Sequence, residues 1–250
     1  KSEIVTQMIY GESFSISKKS KKWLKIKIIE DNYKGYILNK KYPSFLKPTH
    51  KINLLKAKIY KFPNKIKKGE ITFGSKIRVT DQNLKSFKFT GGWISKQDVK
   101  PILFKEKDPF RKITHFKNIR YKWGGKSFKG IDCSALVQIF LNFNNKFCPR
   151  DAKDQVNYNA LIDVDSTDEI QSEDLLFFKK GGTVDHVAIA TMGYNINDAY
   201  VCDSDYDKLD KGDLIMHASG HKGIVCYQSL DDSGLKDSLY KIKRHVSKTL

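Results

Sequence analysis

Tyr121-Lys-Trp123-Gly124-Gly125, followed by Gly130-Ile131-Asp132-Cys133-Ser134-Ala135-Leu136-Val137-Gln138, is the stretch on which the reading of this chain turns. A glycine-rich loop gives way there to an apolar run of helical character, with one cysteine at the junction. Asp132 is suited to cap the helix, because its carboxylate can accept a backbone N–H of the first turn. Cys133 then lies at the positive end of the helix dipole, which favours thiolate over thiol. Downstream, Asp185-His186-Val187-Ala188-Ile189-Ala190 and Leu214-Ile215-Met216-His217-Ala218-Ser219 each set a histidine in a short apolar run. A cysteine followed by two strand-borne histidines is a thiol-hydrolase arrangement.

In that arrangement His186 is the candidate base, on a strand face shared with Ala188 and Ala190, whose small size leaves room for a helix end. His217 is the candidate third group, accepting the other imidazole N–H and fixing its tautomer. The backbone N–H of Cys133 is the candidate oxyanion donor. Each residue taken singly has an ordinary reading: a core histidine, an inert cysteine, a plain helix cap. A metal held by the same three residues lacks a fourth ligand at any usual spacing. No metal and no cofactor are expected.

The formal charge of +18 invites a polyanion partner. Arginine, whose fork reads phosphates and bases, accounts for only five (Arg78, Arg111, Arg120, Arg150, Arg244) of the 46 basic residues. The lysines are spread along the chain, with a mild excess before residue 130, so no nucleic-acid partner is expected. The cysteines at 133, 148, 202 and 226 are too sparse for a disulfide scaffold, and no Cys-x-x-Cys occurs. Cys148, Cys202 and Cys226 read as small buried residues. No apolar run approaches the roughly 18 residues of a membrane span. The chain begins at Lys1, which suggests trimming or processing, and no signal peptide is visible.

The first hundred residues read as β structure. Trp23-Leu-Lys-Ile-Lys-Ile-Ile29 alternates as a half-buried strand does, and Asn32-Tyr33-Lys-Gly35-Tyr36-Ile37-Leu38 adds a turn and a second strand. A break at Lys47-Pro48-Thr49-His50 precedes a similar pattern through Leu54–Tyr60, Ile71–Phe73, Ser75–Val79 and Gly91–Ile94. Each set suits a small barrel. From about residue 105 helical signals appear at Asp108–Lys112, in the buried apolar run Ala135–Leu141, and from Arg150 past Gln155. Strands follow at Leu175–Phe178, Val187–Ala190, Asp213–Met216 and Gly223–Tyr227. The fold expected is an α+β domain, helices packed on an antiparallel sheet, at 105–250. Two small all-β barrels precede it, at 1–46 and 47–104.

The barrels carry a resemblance to bacterial SH3-like modules. It rests on Val5–Glu12, Trp23–Ile26 and Gly35–Ile37 for the first, and on Ala57–Tyr60, Phe73–Ser75 and Gly92–Ile94 for the second. The second half closely resembles the NlpC family of papain-like cell-wall cysteine peptidases. The matching pieces are Tyr121-x-Trp123-Gly-Gly125, Gly130–Gln138, Pro149-Arg150-Asp151-Ala152-x-x-Gln155, Asp185-His186-Val187 and Met216–Ser219, in the right order. The resemblance implies Cys133 as nucleophile, His186 as base and His217 as third catalytic residue. With the SH3-like modules it resembles a subgroup that cleaves murein peptides between γ-D-glutamate and a diamino acid, diaminopimelate, next to a free N-terminal L-alanine. By position, Tyr121, Asp132, Ser134 and Asp151 match that subgroup's amine-recognising residues, with Trp123 beside them, and Tyr33 or Tyr36 could close the groove.

The chain departs from the family twice. Glu173 stands where a glycine usually precedes Asp-Leu-x-Phe-Phe, and 31 residues separate His186 from His217, more than is usual. The excess, 193–213, holds Asp198, Asp203, Asp205, Asp207 and Asp210. It faintly resembles a calcium loop but lacks the glycine, Lys208 standing in its place, and reads as a solvated insertion. The function expected is hydrolysis of murein peptides by a monomer, with recycling in the cytoplasm favoured over a periplasmic or secreted role. Alternatives are an amidase or acyltransferase of the same fold and a non-catalytic wall-binding protein.

Overall fold

The computed structural model describes residues 3–191 and 214–245. Among these the chain divides into two compact units. One lies within Lys1–Thr6, Glu106–Leu141 and Cys148–Leu250, the other within Gln7–Lys105 and Asn142–Phe147.

Among the described residues the second unit is β apart from one 3-10 turn and the end of a helix at Asn142 and Phe143. Strands β1 (Phe14–Lys19), β2 (Trp23–Ile28) and β3 (Lys34–Leu38) form an antiparallel meander. The alternation expected in β2 is present: Leu24, Ile26 and Ile28 are buried on one face, with Met8, Phe14, Tyr33, Ile37 and Tyr42 packed against them. Next come β4 (His50–Ile52), β5 (Lys56–Phe62), β6 (Lys65–Thr72), β7 (Lys76–Ile77), β8 (Asp81–Gln82), β9 (Ser86–Phe89), β10 (Gly92–Ser95) and β11 (Val99–Pro101). They pair as a five-stranded sheet, β6-β5-β10-β9-β8, and a three-stranded one, β11-β4-β7. Ile52, Ala57, Ile71, Ile77, Phe89, Ile94 and Val99 make one core for both sheets. Two closed barrels were expected; among the described residues neither set closes. The first has only three strands, too few for a ring, and the second breaks into two sheets that share a core.

Lys51 is fully buried in this unit. Its ammonium donates to the carbonyls of Phe104 and Phe143 and lies over the Phe143 ring, so the buried charge is hydrogen-bonded rather than bare.

The first unit contains α1 (Cys133–Phe143), the short α2 (Ala152–Gln155) and a six-stranded antiparallel sheet. The sheet runs β14 (Leu161–Val164), β19 (Leu239–His245), β15 (Leu175–Lys180), β16 (Thr183–Ala190), β17 (Leu214–Ser219), β18 (Ile224–Ser229), after a small hairpin of β12 (Lys126–Ser127) and β13 (Gly130–Ile131). Helix α1 is buried on almost every side, as its apolar sequence requires, with Phe140 against Phe110 and Phe116. The unit is more sheet and less helix than expected. Asp108–Lys112 forms turns leading into a 3-10 turn at Ile113–Phe116, and α2 stops at Gln155. No helix among the described residues is long and apolar enough to cross a membrane.

Candidate active site

Helix α1 begins at Cys133, and the groups around its first turn explain why. Asp132 Oδ1 accepts the N–H of Ala135 at 2.8 Å, a side-chain cap, while the Asp132 carbonyl accepts the first helical bond from Leu136 at 3.0 Å. Oδ2 accepts the N–H of Gly124 at 2.9 Å, tying the glycine loop to the helix start. Gly124 has φ +69, and a Cβ there would lie 2.6 Å from the Ile4 carbonyl oxygen, so the close approach of the Ile4–Thr6 backbone needs glycine.

Arg150 completes this frame. Its Nη1 and Nη2 meet Asp132 Oδ1 and Oδ2 at 3.0 and 2.6 Å, Nη1 also donates to Ser134 Oγ at 3.0 Å, and Nε donates to Thr6 Oγ1 at 2.9 Å. Both partners are buried, and the bidentate fork satisfies charge and geometry together. Gln155 fastens the other side, donating to the carbonyls of Ser134 and Pro149, both at 2.9 Å. Asp132 was expected to bind a substrate ammonium; both its oxygens are engaged by these internal donors, with Ser134 Oγ donating to Oδ1 at 3.3 Å. Asp151 follows at the start of α2, part-exposed, its charge acting on Arg150.

The Cys133 sulfur receives the backbone N–H groups of Val187 and Ser134, which puts it beside β16 at the residue next to His186. His186 Nε2 lies 2.7 Å from His217 Nδ1, the rings nearly perpendicular, and His217 Nε2 lies 2.9 Å from Gln228 Oε1. Strand register accounts for the contact: Ile189 opposes Met216 on β16 and β17, so His186 and His217 project from the same face. Ala188 and Ala190 pack with Leu176, Phe178, Ile215, Leu230 and Ile242.

Burial dominates the electrostatics. It pushes the Cys133 thiol up to about 12, with the Asp132 charge adding and the Val187 and Ser134 N–H groups opposing. The helix end was expected to favour thiolate; burial and the adjacent carboxylate outweigh it. Burial holds His186 down at about 3, with His217 contributing, and lowers His217 against the opposing Gln228 hydrogen bond. The pair is therefore thiol and neutral imidazole, and a thiolate forms only if the thiol proton moves. Burial pushes the Tyr121 hydroxyl up to about 12, with the charges of Cys133 and Asp132 adding, so it stays protonated. Trp123 is exposed.

Tyr33 packs on the β1–β3 core, whereas Tyr36 is exposed. The Asp-rich segment 193–213 lies outside the described residues. Among the described residues no cluster of three or more His, Cys, Asp or Glu side chains could hold a metal ion. The arrangement brings a buried thiol together with two hydrogen-bonded histidines, groups that acyl transfer can use. Arg150 as clamp and Gln228 as neighbour of His217 escaped the sequence reading. Only strand alternation, which puts Cys226 and Gln228 on the His217 face, hinted at the latter.

Residues 118–244 match the NlpC/P60 family, and residues 1–41 match the bacterial dipeptidyl-peptidase Sh3 domain. A probable endopeptidase of Haemophilus influenzae is 29% identical over 146 residues, 55% of this chain and 77% of that one. The gamma-D-glutamyl-L-lysine dipeptidyl-peptidase of Bacillus subtilis is 26% identical over 213 residues, 76% of this chain and 70% of the relative. The crystal structure of an NlpC/P60 family protein from Bacillus cereus superposes with TM-score 0.76 at 20% identity, covering 96% of this chain and 81% of the other, a likeness of fold. The chain belongs to the NlpC/P60 family of peptidoglycan endopeptidases: it is a cysteine-type peptidase with a bacterial SH3-type domain before its papain-like fold.

Proposed function

We propose that the protein hydrolyses the γ-D-glutamyl–diamino acid bond of short murein peptides carrying a free N-terminal L-alanine. The observation that carries the reading is the buried Cys133 sulfur on the Val187 N–H, next to a His186 bonded to His217 at 2.7 Å. The named activity of the Bacillus subtilis relative supports the bond type, since that protein is a gamma-D-glutamyl-L-lysine dipeptidyl-peptidase.

In this reading Cys133 attacks the γ-carbonyl carbon as His186 takes the thiol proton. The oxyanion is met by the Cys133 N–H and the Tyr121 hydroxyl. The C–N bond breaks as His186 returns the proton to the leaving amine. Water, deprotonated by His186, then opens the thioester, releasing the γ-D-glutamyl carboxylate and the thiol. His217 orients His186. Trp123 offers an apolar face to the peptide. Asp151 supplies the carboxylate for the substrate ammonium, and Asp132 and Ser134, engaged by Arg150, hold that corner in place. The division into domains at 1–46, 47–104 and 105–250 belongs to the same proposal.

Mass spectrometry of defined tri- and tetrapeptides tests it. L-Ala-γ-D-Glu-diaminopimelate should yield L-Ala-γ-D-Glu and free diamino acid, and an amine-blocked peptide should be cleaved far more slowly. Equal cleavage of both would indicate an amidase or acyltransferase without an amine lock. Tight binding to sacculi with no product would indicate a wall-binding protein.

A further inference from the structure

Gln228 sits on β18, almost fully buried, beyond His217 as seen from the thiol. Its amide orientation is constrained from both ends. Nε2 donates to the Asp232 carbonyl at 3.4 Å, while Oε1 faces His217 Nε2 at 2.9 Å and is also approached by the Cys226 thiol at 3.6 Å. Exchanging the two ends would set oxygen against the Asp232 carbonyl and turn the NH2 toward the thiol and the ring, so the oxygen belongs toward His217. An acceptor there requires the hydrogen of His217 on Nε2. A neutral imidazole carries one hydrogen, so His217 Nδ1 is a lone pair, and it faces His186 Nε2 at 2.7 Å. His186 therefore carries its hydrogen on Nε2, and its Nδ1 is left as the basic nitrogen.

We propose that Gln228 is a positioning residue of the catalytic relay, selecting through His217 the one tautomer of His186 that can accept the Cys133 proton. The inference rests on the reading of His186 as the base. In the opposite tautomer His217 would present Nδ1–H to His186 Nε2, and His186 would carry its hydrogen on Nδ1 with nothing to take the thiol proton. When His186 becomes imidazolium, its Nε2–H bond to His217 strengthens, and the Gln228 dipole supports the charge from behind. No second proton transfer is involved. The charged or titratable groups bearing on His217 are His186 on β16, Cys226 on β18 and Lys222 in the turn between β17 and β18. Gln228 is the acceptor among the side chains at its Nε2.

Ring-nitrogen NMR of the full chain should show both His186 and His217 as Nε2–H tautomers at pH 7. A His217 Nδ1–H signal in the wild-type protein would overturn the proposal outright. Gln228→Leu should lower kcat roughly 10- to 100-fold with KM little changed, the usual scale for an outer partner of a functional histidine. Gln228→Glu, which keeps an acceptor oxygen of the same reach, should recover most of that loss and move the acid limb of the kcat/KM profile to higher pH. A Glu variant as poor as the Leu variant, with no shift of that limb, refutes the role and leaves packing alone. Iodoacetamide alkylation of Cys133 across pH gives the same comparison without a substrate. A protein that cleaves no murein peptide but shows the tautomers and the altered alkylation profile would lose its proposed substrate and keep this relay. Unchanged alkylation in both variants would remove the relay and leave the substrate reading standing.

Discussion

Replacing Arg150 by methionine removes the cation that lies across both oxygens of Asp132 while keeping most of the side-chain volume. The loss comprises two charge-assisted bonds at 3.0 and 2.6 Å, one bond to Ser134 Oγ and one to Thr6 Oγ1. What remains is a buried carboxylate held only by the Gly124 and Ala135 N–H groups and the Ser134 hydroxyl. Breaking a buried pair from one side costs about 3–5 kcal/mol, chiefly because the surviving charge is uncompensated. For a chain of this size that corresponds to a fall in Tm of about 6–20 °C. Because Asp132 also caps α1, the Cys133 turn should loosen, and turnover should fall more than stability alone explains. Asp132→Asn in the Arg150→Met background removes the stranded charge and keeps an oxygen for Ala135, so it should restore about 1–2 kcal/mol, a coupling read from the double-mutant cycle. Differential scanning fluorimetry and peptide hydrolysis on the four proteins provide the measurement. A Tm for Arg150→Met within about 2 °C of wild type, under the ~3 kcal/mol expected for a stranded charge, would refute the reasoning. So would strictly additive losses in the double mutant.

The neutral histidines give a pH dependence of definite sign. His186 is held at about 3 in the folded chain against 6.5 for the free side chain, so between those values the unfolded state binds the extra proton. Stability should therefore be complete above pH 6.5 and fall toward acid, by up to about 1.4 kcal/mol per pH unit from this residue, and His186→Gln should flatten urea midpoints between pH 6.5 and 5. A wild-type midpoint independent of pH across that window would contradict the burial argument. Glu173 holds φ +76 where glycine would be unstrained, and its Oε1 accepts the N–H of Phe110 at 3.0 Å. Glu173→Ala keeps the strain and loses the bond, so it should cost about 1–2 kcal/mol in urea unfolding; a neutral result would mean that the amide finds another partner. Gly124→Ala should fail to fold or lose activity, since its Cβ meets backbone rather than a yielding side chain; wild-type behaviour in circular dichroism and hydrolysis would show that the Ile4–Thr6 segment moves aside.

The residues most legible in the sequence were those whose role is local. Asp132 before an apolar run announces a capped helix, and α1 begins one residue later. The alternation of Trp23–Ile28 reappears as a strand buried on one face. Strands β15 to β18 lie where short apolar runs placed them, because a buried strand writes its pattern into its own residues. Strand β19 was missed: Leu239-Tyr-Lys-Ile-Lys-Arg-His245 is mostly polar, and its place between β14 and β15 comes from pairing across the chain. The same limit hid the bond between Arg150 and Asp132, which are 18 residues apart and joined only by tertiary folding. It also hid the direction of the thiol shift. Helix-end position is visible in sequence, whereas the burial that outweighs it is a property of the packed fold. Barrel closure depends on which strands pair at the edges, and strand count alone does not determine that.

The most direct measurement is product analysis by mass spectrometry on L-Ala-γ-D-Glu-diaminopimelate with the wild-type protein and with Cys133→Ala. The wild type should release L-Ala-γ-D-Glu and free diaminopimelate, and the variant should leave the peptide intact. Release of diaminopimelate by Cys133→Ala at the wild-type rate, or cleavage at any other bond, would contradict it.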